Sequence, residues 1–270
     1  MHDMQVGNAR RVFGFPDFIP TVEAEYPRFF EVGPRVLSAM HSVADREYAA
    51  PEPHQRAILN LSMLAGIAVV EVVTLTVNGL SQGAMRTVRS LMETAINVEY
   101  FRLRPQNFED YREWVHVERF RKVEFVREHL PQVFATVEPE TIAAITREMD
   151  RVRPRFERRD GSVRTSWSAQ NLADRAAVAG FSETYKAINP LASSFVHETM
   201  SGLLEHFEVT HDPHRIEVPP TLAWSTQALS GAHDCMVRVV KTLSETFGVA
   251  PDPTVETLVK EWHYAWTDAR

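Results

Sequence analysis

The feature that most constrains the fold is an apolar stretch of twenty residues, 61–80, reading LSMLAGIAVVEVVTLTVNGL. Its length is about what a helix needs to cross a bilayer. Glu71 lies near its middle, however, and a carboxylate at mid-bilayer costs roughly 2.5–3.5 kcal/mol on insertion scales. No cluster of lysine or arginine flanks the stretch. The sequence therefore predicts the central core helix of a bundle, over about residues 54–80, and no membrane partner.

Apolar residues recur at helical spacing through the rest of the chain, and sustained β-type alternation is absent. Further helices are predicted over about residues 84–104, 108–130, 138–152, 169–179, 182–188, 191–207, 222–247 and 255–266. The aromatic and proline-punctuated start predicts a short irregular arm over residues 1–20. The expected fold is all-α, a single-domain multi-helix bundle over residues 21–270.

Charge and cysteine content narrow the class of protein. A formal net charge of -7 argues against a dedicated nucleic-acid coat or a protein that binds anionic membranes. Cys235 is the only cysteine, so an intrachain disulfide is excluded. The segment Met1–Gln5 lacks both the basic start and the apolar run of a secretory signal. These observations predict a cytoplasmic protein.

A stripe of polar residues runs along the predicted helix over 84–104. Its members recur every three or four residues and share one face: Arg86, Arg89, Glu93, Asn97 and Tyr100. An apolar stripe lies beside it: Met85, Val88, Met92 and Ile96. A desolvated arginine–glutamate pair one turn apart is a fixed charge that orients a substrate or a histidine. The alternative, a buried salt bridge that ties helices together, stays open.

A second polar segment, Tyr185–Glu198, contains serines and a histidine at helical spacing. Ser194 and His197 are three residues apart and can share a hydrogen bond, the minimum for an activated hydroxyl. A hydrolytic triad also needs a third group and an oxyanion hole, and no Gly-x-Ser-x-Gly turn is present. The alternative is a core histidine whose hydrogen bonds are satisfied.

Metal and phosphate motifs are weak. Within the predicted helices Glu-x-x-His occurs once, as Glu113–His116, whereas a carboxylate-bridged di-metal bundle needs two such elements. Neither His-Glu-x-x-His nor a glycine-rich phosphate loop is present. We expect no metal and no cofactor, and a metal-dependent helical-bundle enzyme is kept as an alternative.

The segment Arg151–Arg164 is strongly basic and predicts a broken, mobile loop. In a ribonuclease of a toxin or phage-defence system, four of its side chains would clamp phosphates: Arg153, Arg155, Arg158 and Arg159. Nucleic acid is the less favoured partner because of the acidic net charge.

Several short motifs together are similar to a bacterial family known as domain of unknown function 5677. They are Arg86-Thr-Val-Arg-Ser-Leu-Met-Glu93, Trp167-Ser near Leu172-Ala, Tyr185, and Ser194-Phe-Val-His197. The resemblance covers about residues 55–205. It implies an all-helical domain in which Arg89, Glu93, Tyr185, Ser194 and His197 converge, and it implies no known activity.

Taken together, the sequence predicts a helical bundle with a polar pocket for a small anionic or nucleotide-like ligand, either binding it or hydrolysing it. The predicted ligand-binding residues are Arg86, Arg89 and Asn97. The predicted catalytic residues are Glu93, His197, Tyr185 and Ser194. A non-catalytic homodimeric interaction module is a further alternative, and we expect a homo-oligomer in any case. Whether the chain is an enzyme is left open.

Overall fold

Helices make up the regular structure of the computed structural model, which describes residues 15–196 and 222–249. Within these ranges there are ten α-helices and no β-strands. They are α1 Ile19–Glu25, α2 Pro27–Ala44, α3 Pro53–Val77, α4 Ser81–Leu103, α5 Phe108–His129, α6 Pro131–Phe134, α7 Pro139–Phe156, α8 Leu172–Val178, α9 Ser182–Val196 and α10 Ser225–Phe247. The prediction of an all-α bundle is confirmed.

The apolar stretch forms most of α3. Pro53 occupies the first helical position, where its missing N–H costs nothing. The backbone N–H of Glu52 donates to the side chain of Gln55 over 2.9 Å, so this N–H, which precedes the helix, has a hydrogen-bond partner. Beyond the helix, Gly79 has a φ of 70°, a left-handed conformation that glycine adopts without strain.

One side of α3 is buried in the bundle. Its buried residues are Ile58, Ser62, Ala65, Gly66, Val69, Val72 and Thr76. In the described ranges, α3 is the one helix that is long and apolar enough to cross a membrane, with a mean hydropathy of 2.1. The core helix of a bundle meets the same criteria of length and composition.

The described residues divide into two compact units. The main unit comprises those up to Leu103 and from Arg175 onward, and the inserted unit is Arg104–Asp174. A compact unit need not fold by itself, so a single domain over residues 21–270 stays a prediction.

Helix α4 lies at the centre of the main unit, where it packs against α3, α9 and α10. The predicted apolar stripe of Met85, Val88, Met92 and Ile96 is completely buried. Helix α10 packs against α2, α3 and α4, and it contributes Leu229, Cys235 and Leu243 to the same core. The helical periodicity of the sequence therefore identified the core face of α4 correctly.

The inserted unit is built on α5 and α7, which pack side by side. The ring of Trp114 meets that of Phe156 edge to face, with 5.1 Å between centroids. Tyr111 meets Trp167 in the same way at 5.3 Å. Trp114, Phe156 and Trp167 are all buried, so aromatic packing forms much of this small core.

Two helices continue through a proline at which the sequence predicted an end. Helix α9 contains Pro190, where a break between residues 188 and 191 was expected, and α7 contains Pro154, two residues beyond its expected end. A proline removes one helical hydrogen bond and strains the preceding turn. In α9 the cost is offset by burial of Ala192 and Phe195, which lie beyond the proline.

The predicted N-terminal arm is described only from residue 15. There, residues 16–20 are helical rather than irregular, because a 3-10 turn over Pro16–Phe18 runs directly into α1. The backbone N–H of Phe15 donates to Asn78 Oδ1 over 3.1 Å and ties this segment to the end of α3. Residues 1–14, the predicted helix after residue 196 and the predicted helix over 255–266 lie outside the described residues.

Gly231 allows close helix packing in the main unit. A Cβ atom there would lie 2.8 Å from Ile188 Cδ1 and 2.9 Å from Val88 Cγ1. We expect Gly231→Ala to destabilise the protein by about 1–2 kcal/mol, because overpacking exceeds the gain in helix propensity. Gly83→Ala is the matched control: its Cβ would meet Leu75 at an ordinary 3.7 Å, and we expect it to stabilise slightly. Urea unfolding of both variants measures the difference, and a shift in the same direction for both would contradict the packing argument.

His233 is buried in α10, and burial lowers the pKa of its imidazole to about 2. The unfolded chain takes up a proton near pH 6.5, whereas the folded chain does not, so this histidine makes the protein less stable as the pH falls below 6.5. We expect a loss of about 1.4 kcal/mol per pH unit between pH 6 and pH 5. Urea unfolding of His233→Gln should lack this slope, while His129→Gln, at an exposed site, should retain it.

Candidate functional site

The predicted polar stripe of α4 runs from solvent into the core. Arg86 and Glu93 are exposed, and Arg89 is partly exposed. Asn97 and Tyr100, farther along the helix, are buried, with 6% and 2% of their surface accessible. The stripe is therefore reachable from solvent at its N-terminal end and closed at its C-terminal end.

The buried end of the stripe holds an arginine that the sequence analysis missed. Arg175 of α8 is 3% exposed. Its Nη1 donates to Asn97 Oδ1 over 3.0 Å, and its Nη2 lies 3.6 Å from Glu93 Oε1. Glu93 thus forms an ion pair between two helices, whereas the sequence suggested an Arg–Glu pair within α4. Arg175 is the single basic residue in the run LADRAAVAG, and the small residues that follow it, typical of close helix packing, were the available signal.

The second predicted segment reaches α4 at the opposite end of the stripe. Arg86 Nε donates to the backbone carbonyl of Phe195 over 2.8 Å, which joins α4 to the last described turn of α9. Both predicted polar segments therefore belong to one pair of packed helices. This contact fixes the Arg86 guanidinium beside the end of α9.

The predicted catalytic residues on α9 bond within their own helix. Ser194 Oγ donates to the carbonyl of Leu191 over 2.7 Å, so its hydrogen is directed at the backbone. The hydroxyl of Tyr185 accepts a hydrogen bond of 3.3 Å from Asn189 Nδ2. His197 lies outside the described residues, so the pairing of Ser194 with His197 stays a prediction.

Asn189 is a second residue that the sequence analysis did not single out. Its Oδ1 is buried and accepts no hydrogen bond from any residue in 15–196 or 222–249. A buried amide oxygen without a donor is costly, and a water molecule or a ligand group usually satisfies it. Asn189 therefore offers an acceptor one turn away from Tyr185.

Cys235 cannot act as the nucleophile of such a site. The thiol is completely buried in α10, and burial raises its pKa well above its usual range. The reactive thiolate form is therefore suppressed.

The inserted unit places the predicted metal motif in an ion-pair network. Glu113 accepts hydrogen bonds from Arg151 at 2.5 Å and Arg112 at 3.2 Å. His116 lies 3.8 Å from Glu148, on a groove of about 110 Å³ that Arg119 also lines. In the described part of the chain, no group of three or more His, Cys, Asp or Glu side chains is placed to hold a metal ion.

The basic segment, residues 151–164, has more regular secondary structure than its sequence predicted. Helix α7 continues to Phe156, and an antiparallel bridge between Glu157 and Val163 closes the turn that follows. Arg155 Nε donates to Asp110 over 2.5 Å. The prediction of a broken loop is wrong for residues 151–156, because ion pairs and the burial of Phe156 hold the helix.

The four arginines of the suggested phosphate clamp are all exposed: Arg153, Arg155, Arg158 and Arg159. One of them, Arg155, is already paired with Asp110. The ribonuclease alternative stays a prediction.

Glu113 stabilises the inserted unit through its carboxylate. Burial raises the pKa of Glu113, but hydrogen bonds from Arg151 and Arg112 outweigh it and leave the pKa lowered. We expect Glu113→Gln to lower the free energy of unfolding by about 1–3 kcal/mol at pH 7. A lowered carboxyl pKa stabilises above the unfolded value near 4.5, so the difference from the wild type should shrink as the pH falls toward 3. Glu118→Gln, on an exposed site of the same helix, is the control for urea unfolding and should change little.

The fold and the stripe define an all-α bundle whose central helix carries a polar face shared with α8 and α9. Residues 68–215 match the profile of a family of unknown function (DUF5677), and this match covers more than half of the chain. The chain belongs to that family, as its motifs suggested, and the bacterial origin stays a prediction. No curated protein and no solved structure matches the chain.

Proposed function

We propose that the main unit binds a small anionic ligand along the polar stripe of α4. The observation that carries this proposal is the buried guanidinium of Arg175, held in place by Asn97 and Glu93. A guanidinium with fixed neighbours is pre-organised to form paired hydrogen bonds with a carboxylate or a phosphate. Glu93 is 49% exposed, so solvent reaches the carboxylate side of the Glu93–Arg175 ion pair, although Arg175 itself is buried.

The electrostatics of the stripe favour an anion of some length. Arg86 and Arg89 lie about two turns and one turn before Glu93, so three guanidinium groups and one carboxylate share this part of the bundle. An extended ligand with an acidic group at one end would meet Arg86 first and Arg175 last. Arg86 is held by the carbonyl of Phe195, which reduces the entropy lost on binding.

Helix α9 supplies neutral groups suited to a hydroxyl-bearing ligand. The buried Oδ1 of Asn189 takes no donor from the described residues, and the hydroxyl of Tyr185 lies beside it. A ribose hydroxyl or an exocyclic amine would provide the missing donor. This combination of guanidinium groups with an amide acceptor supports a nucleotide-like ligand over a simple inorganic anion.

Hydrolysis is the second part of the proposal and depends on residues beyond the stripe. In it, His197 acts as the acid–base group, and Glu93 orients it. Ser194 would have to release its bond to Leu191 before its hydroxyl could attack a substrate. Binding without turnover would therefore support the ligand site and remove the catalytic part.

Two charge changes of opposite effect test the ligand site. We expect Arg86→Gln to weaken binding of adenosine monophosphate about three- to tenfold, because one guanidinium contact is lost. Glu93→Gln should strengthen binding by a similar factor, since it removes the carboxylate that competes for Arg175. Isothermal titration calorimetry measures both, with inorganic phosphate as the smaller probe.

Matched controls lie on α3, away from the stripe. Arg56→Gln and Glu71→Gln change the same charges at exposed positions and should leave the affinity unchanged. Failure of the wild type to bind either probe, or equal effects in stripe and control variants, would refute an anion site on α4.

A further inference from the structure

The side of α3 turned away from the bundle is apolar and exposed. Leu64, Ile67 and Val70 are 56%, 56% and 51% exposed. Their spacing of three residues places them within one face of the helix. Exposed apolar side chains that share one face, rather than being scattered singly, are typical of an interaction site. These three residues form the α3 stripe.

The ends of the α3 stripe are polar and match one another. Asn60 lies seven residues before Ile67 and Thr74 lies seven residues after it, and both are exposed. Leu64 and Val70 lie three residues before and after the same centre. When a second α3 is laid antiparallel with a twofold axis at Ile67, Leu64 therefore faces Val70 of the second copy. Asn60 then faces the Thr74 hydroxyl of that copy, a pair that can form a hydrogen bond.

We propose that two copies of this chain associate through antiparallel α3 helices, with the twofold axis at Ile67. A twofold interface must be self-complementary, and the α3 stripe has that symmetry in its sequence. The exposed Glu71 does not prevent this association. In the antiparallel pair the two Glu71 carboxylates are separated by eight residues along the helix axes, roughly 12 Å, and salt screens charges at that separation.

A lipid surface fits the α3 stripe less well than a second copy does. Helices that lie on membranes have lysine and arginine on their polar face, and no basic residue occurs between Arg56 and Arg86. A spanning orientation would also require the opposite side of α3 to face lipid, whereas that side is buried in the main unit.

The dimer should be weak and dependent on concentration. A stable interface buries about 1,200–2,000 Å² in total, and a single pair of helices with a four-turn contact lies at the low end of that range. We expect a dissociation constant in the micromolar range. Sedimentation velocity over about 1–200 μM should therefore show a shift from monomer to dimer.

A charge at the centre of the α3 stripe tests the interface. Ile67→Asp should remain monomeric across the same concentrations, with its dissociation constant raised at least tenfold. The matched control is Val133→Asp in the inserted unit, where the native side chain is 52% exposed, and it should dimerise like the wild type. Circular dichroism melting confirms that both variants fold. A monomeric wild type, or a dimer unaffected by Ile67→Asp, overturns the proposal.

Cysteine cross-linking tests the direction of the helices independently of affinity. The native Cys235 is completely buried, so the wild type should form no disulfide-linked dimer. Under mild oxidation Ile67→Cys should form one, because both thiols lie at the axis. Asn60→Cys should cross-link with Thr74→Cys in a mixture and not with itself. Self-linking of Asn60→Cys would show a parallel pair and would overturn the proposal. A wild-type chain that stays monomeric and co-sediments with phosphatidylcholine vesicles would also overturn it.

Discussion

The structure depends on the burial of α4 between α3, α9 and α10. Its apolar stripe is completely enclosed, and each fully buried side chain of this size contributes roughly 1.5–3 kcal/mol. The polar stripe beside it must therefore enter the same packed environment, and a buried guanidinium or amide there has to be hydrogen-bonded. The hydrogen bond from Arg175 Nη1 to Asn97 Oδ1 meets part of that requirement. Packing and polar chemistry are thus coupled on one helix.

Much of the fold follows from the sequence because it rests on local rules. The apolar face of α4 and the approximate extent of α3 were both predicted from the spacing of apolar residues. The continuation of α9 through Pro190 was not predicted, because the sequence shows the local tendency of proline to end a helix but not the burial of Phe195 that outweighs it. The order of the basic segment was missed for a similar reason. The Asp110 and Glu113 carboxylates that pair with its arginines come from α5, about forty residues earlier.

The candidate site was predicted in part. Helical spacing placed Arg86, Glu93 and Asn97 on one face, and the resemblance drew attention to α9. Arg175 could not be found in this way, because it comes from a short helix reached only after the inserted unit, and its role is set by tertiary contact with Asn97. The role of Asn189 has the same origin, since only packing reveals that its amide oxygen is enclosed. Spacing identifies a polar face, and the fold determines which groups meet it.

The insertion of residues 104–174 between α4 and Arg175 of α8 has a consequence for synthesis on the ribosome. Helices α3 and α4 emerge first, but α9 and α10, which cover them, follow only after the inserted unit and α8 have been made. The ion pairs of the inserted unit can form earlier, since they join residues only about forty positions apart. At about 5–20 residues per second, the apolar surfaces of α3 and α4 stay uncovered for several seconds or longer. During that interval the exposed apolar surface makes the nascent chain prone to aggregation.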